Sequence, residues 1–233
     1  MAALLLASTT TAGCSLIGGA GSTPAGTGST PAGTGTVATG GTGTAGTAAA
    51  TGQALAGDIP PGREIAEGGG GPKQYTFREE WRRGLAKATA WRSGAYLITA
   101  VGDMINNEGV PSSWTMWFID KPADTVLIVE MDPWGAVTRT REVTGDGVKS
   151  FVTEFTKPIP VDVIDSDKAV SLGSEALAAA YDLNKTKEPR AALNFSRVDG
   201  SGPHWNYTVF NNSTAEYVTA QVDALTGTAK LTK

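Results

Sequence analysis

The feature that most limits what this chain can fold into is the stretch from residue 15 to residue 72, which is mostly Gly, Thr, Ala, Ser and Pro. Such a stretch has too little apolar surface to offset the conformational entropy lost on ordering it. All six Trp, all five Tyr and all six Phe lie after it. We therefore predict a disordered linker over residues 15–72 and a folded region from about residue 73, long enough to bury a core.

The charge and the residue counts argue against several classes of function. The formal net charge is −4, and no basic cluster of the kind that binds nucleic acid is present, so we expect no nucleic-acid partner. The single cysteine allows no intrachain disulfide, and with a single histidine it cannot build a Cys/His zinc site. The sequence has no Gly-x-Ser-x-Gly motif. We expect no catalytic residues, no enzyme activity, no cofactor and no metal.

Some polar residues have simple structural interpretations. His204 precedes a predicted strand, and a lone loop histidine is expected at the surface. Asp165 and Asp167 lie where a helix is predicted to begin, and the helix dipole favours acids there. Glu79 and Glu80 offset the charges of Arg78, Arg82, Arg83 and Lys87, and mixed charge of this kind is typical of the solvated face of a helix.

The first 14 residues have the order of a membrane-targeting signal. A short apolar run, Leu4–Leu6, is followed by small residues and by Ala12-Gly13-Cys14. This order resembles the C-terminal half of a prokaryotic lipoprotein signal, whose positively charged start is missing here, so we expect that residues 1–14 are a clipped signal. The resemblance implies lipid attachment at Cys14 and a membrane-anchored protein of the cell envelope, facing the outside of the cytoplasmic membrane, the periplasm or the cell surface. The linker would give it a reach of roughly 40 Å.

The folded region has an internal repeat. Trp114 and Trp205 are 91 residues apart, and so are Asp132 and Asp223. Two segments lie between Trp114 and Asp132, and two between Trp205 and Asp223. Their alternation of polar and apolar residues, clearest in the second copy, is the pattern of half-buried antiparallel strands. In the second copy Trp205, Tyr207 and Val209 would face the core. The polar residues between them, and Thr219 and Gln221, would face the other way.

A helix is predicted before the strands of each copy. In the first copy the apolar stripe consists of Phe77, Trp81, Leu85 and Ala88. In the second copy Ser166 would cap a helix over residues 167–182, with a stripe of Leu172, Ala176, Ala179 and Leu183. A further strand is predicted after each helix, near residues 95–104 and 191–198. The predicted fold is α+β, with repeats at 73–150 and 160–233, each a helix packed on a three- to four-stranded antiparallel sheet.

The second copy resembles the PepSY family, a small module of secreted peptidase propeptides and envelope proteins. An Ala-rich helix leads to a strand, then to Trp205-Asn-Tyr-Thr-Val209, and then to Val222-Asp223-Ala-Leu-Thr-Gly227. In the first copy the corresponding turn has Pro133-Trp134-Gly135 in place of Ala-x-Thr-Gly. The resemblance implies tandem non-catalytic modules, and it carries no catalytic residues.

Two hypotheses for the function follow. The first is a non-enzymatic envelope lipoprotein whose PepSY-like modules bind or regulate a secreted peptidase or a peptide. The alternative is a structural or adhesive surface protein whose repeats serve assembly. Trp117 and Trp134 fall outside the predicted core set. If they lie exposed together they would form a partner-binding surface, whereas burial between the copies would favour the structural hypothesis.

Overall fold

The structure is a computed structural model that describes residues 58–65, 72–120, 125–145, 148, 157–182, 186–194 and 202–232. Residues 1–14, with Cys14, and most of the linker lie outside these ranges. The helices of the described part are α1 (Phe77–Trp91) and α2 (Ser166–Ala178). Its strands are β1 (Glu64–Ile65), β2 (Gln74–Tyr75), β3 (Tyr96–Asp103), β4 (Ser113–Ile119), β5 (Thr125–Met131), β6 (Val137–Thr144), β7 (Thr186–Asn194), β8 (His204–Asn211), β9 (Glu216–Asp223) and β10 (Ala229–Thr232).

The strands after α1 and those after α2 form one antiparallel sheet of eight strands, in the order β10-β9-β8-β7-β3-β4-β5-β6. This confirms the α+β class and corrects the prediction of two separate small sheets. The joint lies between β3 and β7, where Gly102 pairs with Ala191. Two separate sheets would each leave the backbone of one of these strands unpaired, and pairing them satisfies both edges.

The main hydrophobic core lies between the helices and one face of the sheet, which we call the inner face. Its centre is an aromatic cluster. Phe77 of α1 stacks on Trp81, with ring centroids 5.4 Å apart, and meets Trp205 edge-on at 5.1 Å. Trp114 and Trp205 also contact each other, at 6.3 Å. All four side chains are fully buried, so the predicted core role of the two repeat-related tryptophans is confirmed.

Alternation along β8 and β9 follows the sequence prediction. Trp205, Tyr207 and Val209 are buried, whereas Asn206 and Thr208 are half-buried. The turn after β9 also agrees, because Gly227 has a φ of +75°, in the left-handed region that a side chain would strain.

One aspartate caps both helices. The Asp165 carboxylate accepts hydrogen bonds from the backbone N–H of Ser166, at the start of α2, and from the backbone N–H of Arg78, at the start of α1. It also accepts one from the Thr76 hydroxyl at 2.6 Å. The Ser166 hydroxyl accepts from the Phe77 N–H and donates to the Gly109 carbonyl, so both helix N-termini meet at this pair of residues.

Helix α2 differs from its prediction in cap, length and buried face. Its N-cap is Asp165, one residue before the predicted Ser166, and it ends at Ala178. The predicted stripe is only partly confirmed, because Leu172 and Ala176 are half-buried and pack against the core, whereas Ala179 is exposed; Leu183 lies outside the described residues. The buried residues are Ser166, Ala169, Val170, Gly173 and Leu177. A Cβ at Gly173 would lie 2.8 Å from the Tyr207 side chain, so this small residue lets the helix approach the sheet.

Residues 58–65, which the composition assigned to the linker, belong to the folded region. Strand β1 pairs with β2 through Glu64–Tyr75 and Ile65–Gln74. Ile59 and Ile65 are buried, and Ile59 joins the main core. Isolated apolar residues near the end of a Gly-rich stretch hardly change its composition. Only the tertiary contacts therefore show that Ile59 and Ile65 belong to the folded region.

Two polar residues expected at the surface are buried. His204 begins β8 and is 5% exposed, with Nδ1 3.0 Å from the Gly202 carbonyl. Glu80 is fully buried on the inward side of α1, whereas Glu79 is half-buried and pairs with Arg82 and Arg83. Glu80 lies three residues after Phe77, and a three-residue step on a helix keeps its side chain on the core side.

Candidate binding surface

The sheet face opposite the helices, which we call the outer face, changes in character along the sheet. On β3, β4 and β5 it is apolar, with Ile98 and Ile119 in one cluster and Val126 and Ile128 in another. Val148 packs on the second cluster and is itself buried. On β8 and β9 the outer face carries hydroxyl, amide and aromatic side chains. The part of this face on β8 and β9 is therefore the candidate binding surface.

We call Asn206, Thr208, Phe210, Tyr217, Thr219 and Gln221 the outer patch. Thr208 and Thr219 are opposite each other in the β8–β9 ladder, and their hydroxyl oxygens are 2.8 Å apart. Phe210 and Tyr217 are also opposite each other, and their rings meet edge to face at 5.0 Å. Tyr217 is 61% exposed, the highest value among the large apolar and aromatic side chains of the described residues.

An ion pair lies beside the outer patch. Asp103 of β3 is the register partner of Arg190 of β7, and the carboxylate lies 2.8 Å from the guanidinium Nε. Both side chains are 50% exposed. A half-exposed pair of this kind adds little to stability, and its polar groups remain available to a partner.

Trp117 lies on the outer face of β4. It is half-buried and packs against both apolar clusters of that face. Its ladder partner is Ile128 of β5. The Trp117 indole therefore contacts both apolar clusters and connects them.

Trp134 lies in the turn between β5 and β6 and is 47% exposed. The Asp132 carboxylate accepts from the backbone N–H groups of Trp134 and Ala136, and this fixes the turn. Three strand residues, roughly 10 Å, separate Ile128 from the end of β5, and Trp134 lies beyond that end. The structure thus does not bring Trp117 and Trp134 together. Partner binding by either indole stays a prediction.

A groove lies between helix α1 and strands β5 and β6. It has a volume of about 430 Å³. Leu127 of β5 lies in its lining, and Trp91 Nε1 of α1 donates to the Glu142 carboxylate of β6 at 2.6 Å. The remaining lining residues are Lys87, Ala90, Thr140 and Arg141. No sequence pattern indicates this groove, because its walls come from a helix and a strand about 50 residues apart.

Glu80 of α1 is a buried carboxyl group with a strongly raised pKa. Burial raises its pKa to about 8, the charges of Asp132 and Glu79 raise it further, and Arg83 opposes them. Neither carboxylate oxygen has a hydrogen-bond partner in the described part of the chain. The group is therefore mostly neutral at pH 7, which is the state that burial without a partner favours.

Within the ranges given above, no three His, Cys, Asp or Glu side chains come together as a metal ion would require. No helix of the described part combines the length and the apolar composition needed to cross a bilayer.

No known family model and no curated protein matches the chain. Among solved structures, the chain is similar to the crystal structure of a candidate lipoprotein from Clostridium difficile 630. The two share 13% sequence identity and a TM-score of 0.44, over 64% of this chain and 89% of the other. Similarity at this level carries no argument about function.

Proposed function

We propose that this chain is a non-enzymatic lipoprotein of the cell envelope, whose folded region binds a protein or peptide and regulates a secreted peptidase. Cys14 would carry the lipid, and the Gly/Thr-rich linker would hold the folded region away from the membrane. The observation that carries the binding function is the outer patch. Half-exposed hydroxyl, amide and aromatic side chains lie there on a rigid antiparallel sheet, with the helices on the opposite face.

We further propose that the folded region consists of two PepSY-like copies. Each helix is followed by four strands. In the strand ladders Trp114 is opposite Met131, and Trp205 is opposite Val222. Both residues of the second pair thus lie 91 positions after those of the first.

The turns that close the two hairpins also support a duplication. Asp132 accepts from two backbone N–H groups of its turn, and Asp223 accepts from those of Leu225 and Thr226. In both turns a glycine with positive φ follows, Gly135 and Gly227. The hydrogen bond from Thr226 N–H keeps the pKa of Asp223 below its usual value.

The outer patch fits a protein partner because it combines rigid aromatic anchors with adaptable polar groups. Aromatic side chains supply large contact area at a low entropic cost, and neighbouring hydroxyl and amide groups supply hydrogen bonds. Tyr217 and Phe210 would be the anchors, and Thr208 and Thr219 would provide polar contacts beside them. The ion pair of Asp103 and Arg190 would form part of the polar rim.

The test uses the full chain with Cys14→Ser and a secreted peptidase encoded beside its gene. We expect stoichiometric chain to change the initial rate of peptide hydrolysis, and Tyr217→Ala to weaken that effect at least tenfold. Leu231→Ala on β10 is the matched control, because Leu231 is also exposed but lies off the patch. An unchanged rate, with no complex in size-exclusion chromatography, would reject peptidase regulation and favour the structural or adhesive alternative.

A further inference from the structure

The outer edge of the sheet at β6 is open in the described part of the chain. Strand β6 pairs with β5 on one side, and no described strand pairs with its other side. It is eight residues long, and seven of them are exposed. An open edge of this length presents a row of unpaired backbone N–H and C=O groups, onto which an extended peptide can add as a further strand. The opposite edge, β10, has four residues.

The charges on β6 disfavour a second copy of this chain as that strand. Arg139 and Arg141 are register partners of Glu130 and Ile128, on the outer face. They form no ion pair among the described residues. Two β6 edges paired antiparallel would bring these arginines of both copies close together, and like charges opposite each other are destabilising. An acidic strand would instead gain charge complementarity from the same two side chains.

The groove beside β6 defines the other face of the added strand. Side chains of a strand alternate between the two faces of a sheet, so every second residue of an added peptide would point toward the inner face. There it would meet the groove of about 430 Å³, whose apolar lining is Trp91, Ala90 and Leu127 and whose polar lining includes Lys87, Thr140 and Glu142. The Glu142 carboxylate accepts from Trp91 Nε1 and disfavours an acidic side chain beside it. This side suits apolar side chains.

We propose that β6 binds an extended peptide segment of a protein partner, in which acidic and apolar residues alternate. The acidic side chains contact Arg139 and Arg141 on the outer face. The apolar side chains enter the groove between α1 and β6. Backbone hydrogen bonds to β6 provide the remaining affinity. This site goes beyond the proposed function, because β6 and β8 are five strand spacings apart, roughly 24 Å, and the outer patch lies on β8 and β9.

The experiment measures binding of a fluorescent decapeptide of alternating Glu and Val to the full chain with Cys14→Ser, by fluorescence anisotropy at low salt. We expect saturable binding with a dissociation constant below about 1 mM. A peptide of alternating Lys and Val should bind at least tenfold more weakly. Equal binding of both peptides, or no binding of the acidic one, would overturn the proposal.

Two comparisons locate the contact. Arg139→Gln with Arg141→Gln should weaken binding about tenfold, whereas the matched change Lys230→Gln on the opposite edge should leave it unchanged. Lys87→Gln, on the groove side, should change binding less than about twofold, because the acidic side chains contact the outer face. If Lys230→Gln has the same effect as the β6 changes, non-specific electrostatic attraction between the peptide and the protein explains the binding, and the β6 site is rejected.

Main-chain pairing has its own test. The acidic peptide methylated at alternate backbone nitrogens, on the side that would face β6, keeps its charges but loses those donors. We expect its binding to be lost, and undiminished binding would overturn strand addition. Tyr217→Ala should not affect the peptide. A loss with Tyr217→Ala would move the peptide to the outer patch and reject the β6 site, whatever the peptidase assay shows.

Discussion

The burial of Glu80 makes a quantitative prediction about how stability depends on pH. The carboxyl is fully buried without a hydrogen-bond partner, and burial raises its pKa to about 8 from 4.5. Between pH 4.5 and about pH 8, the Glu80 carboxyl therefore keeps its proton in the native state and loses it in the unfolded chain. Stability from this group is full below about pH 4.5 and is lost as the pH rises toward 8.

The size of the effect follows from the shift. One pKa unit corresponds to about 1.4 kcal/mol, so the interval from 4.5 to about 8 corresponds to a loss of about 3–5 kcal/mol of unfolding free energy. That is a large fraction of the stability of an ordinary domain. Glu80→Gln keeps the shape of the neutral acid but cannot ionise. Its stability should match the wild type near pH 4.5 and exceed it by about 3–5 kcal/mol at pH 8.

Urea unfolding followed by tryptophan fluorescence at pH 4.5, 6, 7 and 8 gives these free energies, since all six tryptophans lie after residue 73. Glu79→Gln is the matched control, on the neighbouring helix position. It removes surface ion pairs to Arg82 and Arg83, so we expect a loss of about 1 kcal/mol or less. Parallel pH curves for Glu80→Gln and the wild type would refute the reasoning, because they would show that Glu80 ionises as it does in water.

Three further predictions concern the core, the shared cap and the anchor. Trp205→Ala should cost about 3–5 kcal/mol, because the indole is fully buried and donates to the Ile164 carbonyl; an unaltered melting temperature would contradict this. Asp165→Ala should cost about 2–3 kcal/mol in urea unfolding, because it removes the cap of both helices; a loss no larger than that of Asp167→Ala would show that the shared cap is unimportant. Expressed with its native start, the chain should partition into detergent and Cys14→Ala should release it; equal solubility of both would reject the lipid anchor.

The strand and helix pattern was readable from the sequence because it depends on local periodicity. Alternation from Trp205 to Val209 predicted a half-buried strand, and a stripe from Phe77 to Ala88 predicted α1. The predicted stripe of α2 differs in part from its buried face, because Leu172 and Ala176 are as apolar as the buried residues but reach the core only partly. The choice among faces of that helix depended on the close approach at Gly173.

The candidate sites were less predictable than the fold. Exposed aromatic residues could be proposed from the sequence, but no local pattern indicates whether Trp117 and Trp134 share a surface. The outer patch was visible in part, since Thr208 and Thr219 were predicted to face away from the core. The pairing of Phe210 with Tyr217 needed the register of β8 and β9.

The sequence by itself determined where the aromatic residues concentrate, the period of each strand and helix, and the order of elements, because these depend on composition and on neighbours within a few residues. Only the tertiary structure decided that β3 joins β7 in one sheet, that Asp165 caps two helices, and that Glu80 is buried. Each of these depends on contacts between residues far apart in the chain or on which helix face meets the core. The free energy of these contacts therefore cannot be judged from any short segment of the sequence.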